Sequence, residues 1–98
     1  MEIIIQSQKP LGYSLDVLQD RLEAILVDDE KVTGGGIGID GWRLYVEVSR
    51  ELTAADKDRF AGFLGSMKVP TGTCIQWTAQ DGSKNRLSIK ADWDRDAP

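Results

Sequence analysis

Histidine is absent from this 98-residue sequence, and cysteine occurs once, at Cys74. The first absence removes the commonest general base and the commonest zinc ligand. The second excludes an internal disulfide and leaves a lone thiol without the base that nucleophilic catalysis uses. No apolar run approaches the roughly 20 residues needed to span a bilayer, so no membrane partner is expected. The opening Met1-Glu2-Ile3-Ile4-Ile5 has no basic region and no long apolar core of the signal-peptide kind. Nothing speaks for an oxidising compartment, and the expected location is the cytoplasm. No internal repeat or low-complexity segment appears.

The composition that remains is globular, 41% hydrophobic and 29% charged. Domains commonly run to about 100–150 residues, so one domain is expected, over residues 1–91, followed by a polar acidic tail at 92–98. The net charge of −4 repels phosphate backbones, which disfavours nucleic acid and favours a basic protein partner.

Ile3-Ile4-Ile5 is β-branched on both faces and reads as a central strand, ended by the turn residues Lys9-Pro10-Leu11-Gly12. Ser14 is a helix N-cap, followed by Leu15, Leu18, Leu22, Ile25 and Leu26 at helical spacing. That helix ends near Asp28-Asp29-Glu30, read as a solvated acidic loop. Residues 32–49 form a hairpin turning at Asp40-Gly41. A two-residue loop pairs Ile39 with Trp42 and Ile37 with Leu44, and Val46 and Val48 continue that apolar side. The other side pairs Gly38 with Arg43, Gly36 with Tyr45 and Gly34 with Glu47. Thr53 caps a second helix, with Asp56 completing a variant of the capping box and Phe60, Phe63, Leu64 and Met67 as its stripe. Gly62 and Gly65 weaken it, which close packing on the sheet explains. A strand over 73–80 and another over 85–91 follow, matching Trp77 to Leu87 and Ile75 to Ile89 across an odd-length loop.

The order β-α-β-β-α-β-β predicts an α+β, ferredoxin-like sandwich: an antiparallel sheet with two helices on one face. The open face then carries Gly34, Gly36, Gly38, Arg43, Tyr45, Gln76, Thr78 and Arg86. Such a face is the usual working surface of these folds, by analogy.

Candidate motifs reduce to this face. The run Gly34 to Gly41 contains a formal GxGxxG, but the dinucleotide fingerprint needs a strand entering a helix, and here a hairpin follows. The glycines also have a structural reading: Gly36 opposite Tyr45 and Gly38 opposite Arg43 let large cross-strand side chains lie over the strand, and glycine can host a bulge. A third reading is bare backbone able to accept a partner's side chain or strand. Trp42 and Tyr45 are three apart and face opposite ways, whereas RNA-stacking aromatics share a face. Trp42 and Trp77 belong to the core, and Cys74 is a small packing residue at the start of a strand. Asp92, Asp94 and Asp96 lack the turn glycine and later glutamate of a calcium loop, so no metal or cofactor is expected. Tyrosine and arginine are enriched at interface hot spots. The expected partner-binding residues are therefore Gly34, Gly36, Gly38, Arg43, Tyr45 and Glu47, joined by Asp92 and Asp94 of the tail.

The segment Val32-Thr33-Gly34-Gly35-Gly36 leading to Val46-Glu47-Val48 resembles small stand-alone bacterial proteins of ferredoxin-like type. In these a threonine and three glycines precede a strand of alternating aliphatic and acidic residues. A charged helix and a short glycine-threonine strand follow, here at residues 53–68 and Gly72-Thr73. The resemblance covers about residues 32–75, and several such proteins are similar to immunity proteins that neutralise a toxin. It implies a non-enzymatic inhibitor whose partner is a protein, with a cognate toxin first among the candidates. A small-molecule or regulatory module that homodimerises through its open face is the alternative.

Overall fold

The isoleucine run becomes the middle of the sheet. A computed structural model of the chain describes residues 1–27, 29–39, 41–79 and 81–89. In it β1 (Glu2–Ser7) pairs antiparallel with β3 (Gly41–Glu47) on one side and β4 (Cys74–Thr78) on the other. Ile3 and Ile5 point into the core and are fully buried, while Ile4 points to the opposite face and is half-buried. The remaining elements are α1 (Leu15–Ile25), β2 (Lys31–Gly38), α2 (Ala54–Ser66) and β5 (Lys84–Ser88). Among the described residues the strands form one antiparallel sheet in the order β2-β3-β1-β4-β5. Two interleaved βαβ units give the first four of these, so the chain has the expected α+β sandwich of ferredoxin-like type, extended by β5. No helix among the described residues is long and apolar enough to cross a membrane.

Both helices start where their caps predict. The Asp16 N–H donates to the Ser14 hydroxyl at 3.2 Å. Thr53 and Asp56 cap reciprocally: the Asp56 N–H donates to the Thr53 hydroxyl at 3.1 Å and the Thr53 N–H to the Asp56 carboxylate at 2.9 Å. Leu15, Leu18 and Leu22 of α1 and Phe60, Phe63 and Leu64 of α2 then pack on Ile3, Ile5, Leu44, Val46 and Ile75. Helix α2 ends in a Schellman pattern, with the Val69 N–H on the Leu64 carbonyl (3.4 Å) and the Lys68 N–H on that of Gly65 (3.1 Å). Lys68 therefore holds φ 54°, the left-handed position that favours glycine. Close packing does not account for Gly62 and Gly65: no atom lies within 4 Å of where either Cβ would stand.

Both hairpins differ from expectation by two residues in register. The first ladder closes at Gly38–Gly41, with Ile37 opposite Trp42, Gly36 opposite Arg43 and Gly34 opposite Tyr45. Glu47 faces Lys31 instead of Gly34. The cause lies outside the hairpin. Gly41 belongs to the strand at φ +114°, where a Cβ would stand 1.9 Å from the Ser7 carbonyl oxygen, so no side chain fits against β1. A shift between Val32 and Gly34 leaves Thr33 as the extra residue and turns Val32 inward opposite Val46. Ile37 and Ile39, expected in the core, lie beyond its edge at 73% and 104% exposure. In the second hairpin Ile75 faces Leu87, not Ile89, and β5 is shorter than expected. A slip of two preserves the faces, so Leu87 still packs against the core, as half-buried Trp77 does with the Lys57 ammonium 5.3 Å from its ring centre.

The acidic stretch after α1 is not wholly solvated. Helix α1 stops at Ile25, and Glu30 folds back onto α2, where the Arg59 guanidinium grips it at 2.8 and 2.9 Å. Arg59 also donates to Asp56 at 3.3 Å and to the Ile25 carbonyl at 2.9 Å, and Arg50 pairs with Asp56 from the other side. For Asp56 the Arg50 hydrogen bond outweighs burial; with help from Thr53 and Arg59 it holds the carboxyl well below the usual range. Burial pushes Glu30 up, but hydrogen bonds from Arg59 and the Val27 N–H leave it below its ordinary value. This network ties the α1–β2 connection to α2 and belongs to the scaffold.

Candidate functional site on the open sheet face

Strand pairing places the site, because residues directly opposite one another share a face. One row across the face away from the helices holds Gly36, Arg43, Gln6, Cys74 and Ser88. The next holds Gly34, Tyr45, Ile4, Gln76 and Arg86. At one end Lys31, Glu47 and Glu2 lie side by side, with Thr78 and Lys84 beyond. Every open-face residue expected from sequence is there, with glycine partners exchanged. Gly34, Gly36, Gly38, Arg43, Tyr45 and Glu47 share this face, whereas Asp92 and Asp94 lie outside the described residues. Ile4, Gln6, Lys31 and Lys84 were missed. Strand alternation around Ile4 would have found the first two; the bulge and the register slip concealed the others.

The glycines divide into two kinds. A Cβ on Gly35, on the helix side, would stand 2.7 Å from the Arg43 carbonyl oxygen and 2.8 Å from a Leu44 methyl. A Cβ on Gly36 or Gly38 would meet nothing, and one on Gly34 would touch the Tyr45 ring at an ordinary 3.7 Å. Gly35 is thus dictated by packing, while Gly36 and Gly38 leave accessible backbone that the fold does not demand. The Tyr45 ring, beside bare Gly34 and next to Ile4, forms an apolar centre with polar side chains around it.

A shallow basin of about 430 Å³ lies beside this centre. Its floor is Gln6 and Gln76, fixed by a 2.9 Å hydrogen bond from the Gln6 amide to the Gln76 carbonyl oxygen. Lys9, Arg43 and Arg86 stand around it, and its lining includes no carboxylate. None of these three cations forms an ion pair among the described residues. Glu47, by contrast, accepts the Met1 ammonium at 3.0 Å. The net charge of −4 therefore does not describe this face: Lys31, Arg43, Lys84 and Arg86 outnumber Glu2 and Glu47 there. The exposed carboxylates Asp16, Asp20 and Glu23 lie on α1, on the opposite side.

Cys74 is buried at the start of β4, consistent with a packing role. Among the described residues no group of three His, Cys, Asp or Glu side chains is placed to hold a metal. The glycine run enters a hairpin, not a helix, so it lacks the N-terminal dipole that holds a pyrophosphate. Architecture thus places the chain among α+β sandwiches with one sheet face that no described helix covers. Compared with models of protein families, with curated proteins and with solved structures, the chain matches none.

Proposed function

We propose that the chain is a non-enzymatic protein-binding module that docks through its open sheet face and acts by occluding its partner's surface, as an immunity protein occludes a toxin. One observation carries this reading. Tyr45 and Ile4 form an apolar centre on a sheet face that no described helix covers, with Arg43, Gln6, Gln76 and Arg86 as a polar surround. A buried aromatic anchor inside a polar rim is the usual anatomy of a protein interface. The bare backbone at Gly34 and Gly36 lets a partner approach this anchor closely.

Affinity capture with the full chain from its native host tests the proposal. The expected result is a stoichiometric protein partner that Tyr45→Ala releases while the fold is retained. Recovery of no partner, or capture indifferent to Tyr45, counts against it. The regulatory-module alternative predicts a dimer in solution that Tyr45→Ala converts to monomers. Stacking two copies centre to centre would set Arg43 and Arg86 against their counterparts, so the heterologous partner is preferred.

A second reading has its own observation. Among the described residues strand β2 is a sheet edge, paired to β3 alone, and Ile37 within it and Ile39 just beyond it are exposed, with no proline or charge between Val32 and Ile39. Edges of this kind accept an added strand. Docking there would be abolished by Ile37→Lys and unaffected by Tyr45→Ala.

A further inference from the structure

We infer that the segment this face receives is acidic: an extended stretch of a protein partner whose carboxylates engage Arg43 and Arg86 while an apolar side chain rests on Tyr45 and Ile4. The inference rests on the docking reading above and reverses the basic partner that the net charge suggests. Three observations carry it. The basin between Lys9, Arg43 and Arg86 contains no carboxylate, although the chain as a whole has a net charge of −4. Among the described residues its cations make no ion pair, so no bridge to a described carboxylate has to break when they enter an interface. The Gln6–Gln76 hydrogen bond leaves the Gln76 carboxamide N–H groups as donors on the floor.

Spacing selects the form of the ligand. Arg43 on β3 and Arg86 on β5 are three strand positions apart, about 14 Å at about 4.8 Å per strand, and stand in neighbouring rows about 6.8 Å apart along the strands, so about 16 Å separates their backbones. One isolated anion spans that gap poorly. An extended segment carrying carboxylates two residues apart, about 6.8 Å along the chain, reaches both arginines as they lean inward. Bidentate guanidinium–carboxylate pairing then sets the register. Single-stranded nucleic acid shares the negative charge but draws its affinity from stacking on several aromatics. Tyr45 is the one aromatic in the two central rows of this face.

The test is a titration of the full isotope-labelled chain with an octapeptide alternating glutamate and leucine, followed by backbone amide and arginine Nε–H signals. The expected result is saturable shifts at Gln6, Arg43, Tyr45, Gln76 and Arg86. Affinity should fall roughly tenfold between about 50 and 300 mM salt. The double variant Arg43→Glu/Arg86→Glu should abolish the shifts while its remaining spectrum stays folded, since both side chains are exposed. A matched lysine–leucine peptide should leave the face untouched. Absence of saturable shifts, or preference for the lysine peptide, overturns the acidic assignment. Partner capture through Tyr45 would still stand, so the two failures are separable. An oligouridylate of equal charge that saturates the same signals more tightly overturns the protein assignment in favour of nucleic acid. Inorganic phosphate matching the peptide reduces the basin to an unspecific anion site.

Discussion

Substituting alanine at Gly35 and at Gly36, one residue apart in the same strand, separates glycine required by the fold from glycine left free for contact. At Gly36 the added Cβ meets no atom within 4 Å and the backbone φ is not positive. The effect is then the loss of glycine's excess unfolded-state entropy, a gain of about 0.5–1 kcal/mol. For a domain of this size that corresponds to a rise in melting temperature of about 2–8 °C. At Gly35 the same atom stands 2.7 Å from the Arg43 carbonyl oxygen. That neighbour is backbone and cannot turn aside, so β2 must move from β3 at a cost of about 1–3 kcal/mol. Urea denaturation monitored by tryptophan fluorescence measures both, since Trp42 is buried opposite Ile37 in the same ladder. Equal midpoints for the two variants, or a Gly36 variant less stable than the Gly35 variant, would refute the reasoning. In the docking account Gly36→Ala also weakens partner binding despite its added stability, because it raises the floor beside Arg43.

Other outcomes follow from the scaffold. Gly62→Ala, on the exposed side of α2, should stabilise by about 1 kcal/mol in thermal denaturation, the helix-propensity difference. Lys68→Gly should add up to about 1 kcal/mol by relieving a left-handed lysine at the end of α2, read as a higher urea midpoint. Asp56→Ala removes the carboxylate half of the capping box, which accepts the Thr53 N–H, leaves Arg59 with one fewer acceptor and Arg50 without this partner, and should cost about 3 kcal/mol. Asp56 and Glu30 both have folded pKa values depressed below their unfolded ones, near 4. Their stabilisation is therefore complete above about pH 5 and lost as pH falls through the folded values, so denaturation midpoints should be flat between about pH 6 and 8 and decline below about pH 4. Asp56→Ala should lose part of that acid dependence.

How far the sequence discloses this molecule depends on which interactions are local. The caps at Ser14 and Thr53 and the stripes Leu15, Leu18, Leu22 and Phe60, Phe63, Leu64 are read within a few residues, and the structure keeps all of them. The division of strands into two faces is also legible, because side chains alternate and a slip of two leaves every residue on its side. The pairing itself is not. It is decided at Gly41, whose missing side chain admits the Ser7 carbonyl of a strand more than 30 residues earlier, and at Thr33, where one extra residue turns Val32 inward. The same limit hides the Glu30–Arg59 bridge, which joins residues 29 apart. The cationic character of the open face was partly within reach: Arg43 and Arg86 were placed there from alternation, but the chain's overall charge concealed it. Ile37 and Ile39 have the period of a buried strand face, yet both are exposed, so alternation alone does not place them in the core.

The central claim is that the uncovered face docks a protein. Its most direct measurement is the affinity of the captured partner for the full chain, for the face variants Tyr45→Ala and Gly36→Ala, and for the helix-side control Asp16→Lys/Glu23→Lys. The account predicts that Tyr45→Ala weakens binding by roughly tenfold or more, the scale of an interface hot spot, while the control stays within about twofold. Unchanged affinity for the face variants, with loss confined to the helix-side control, would contradict it.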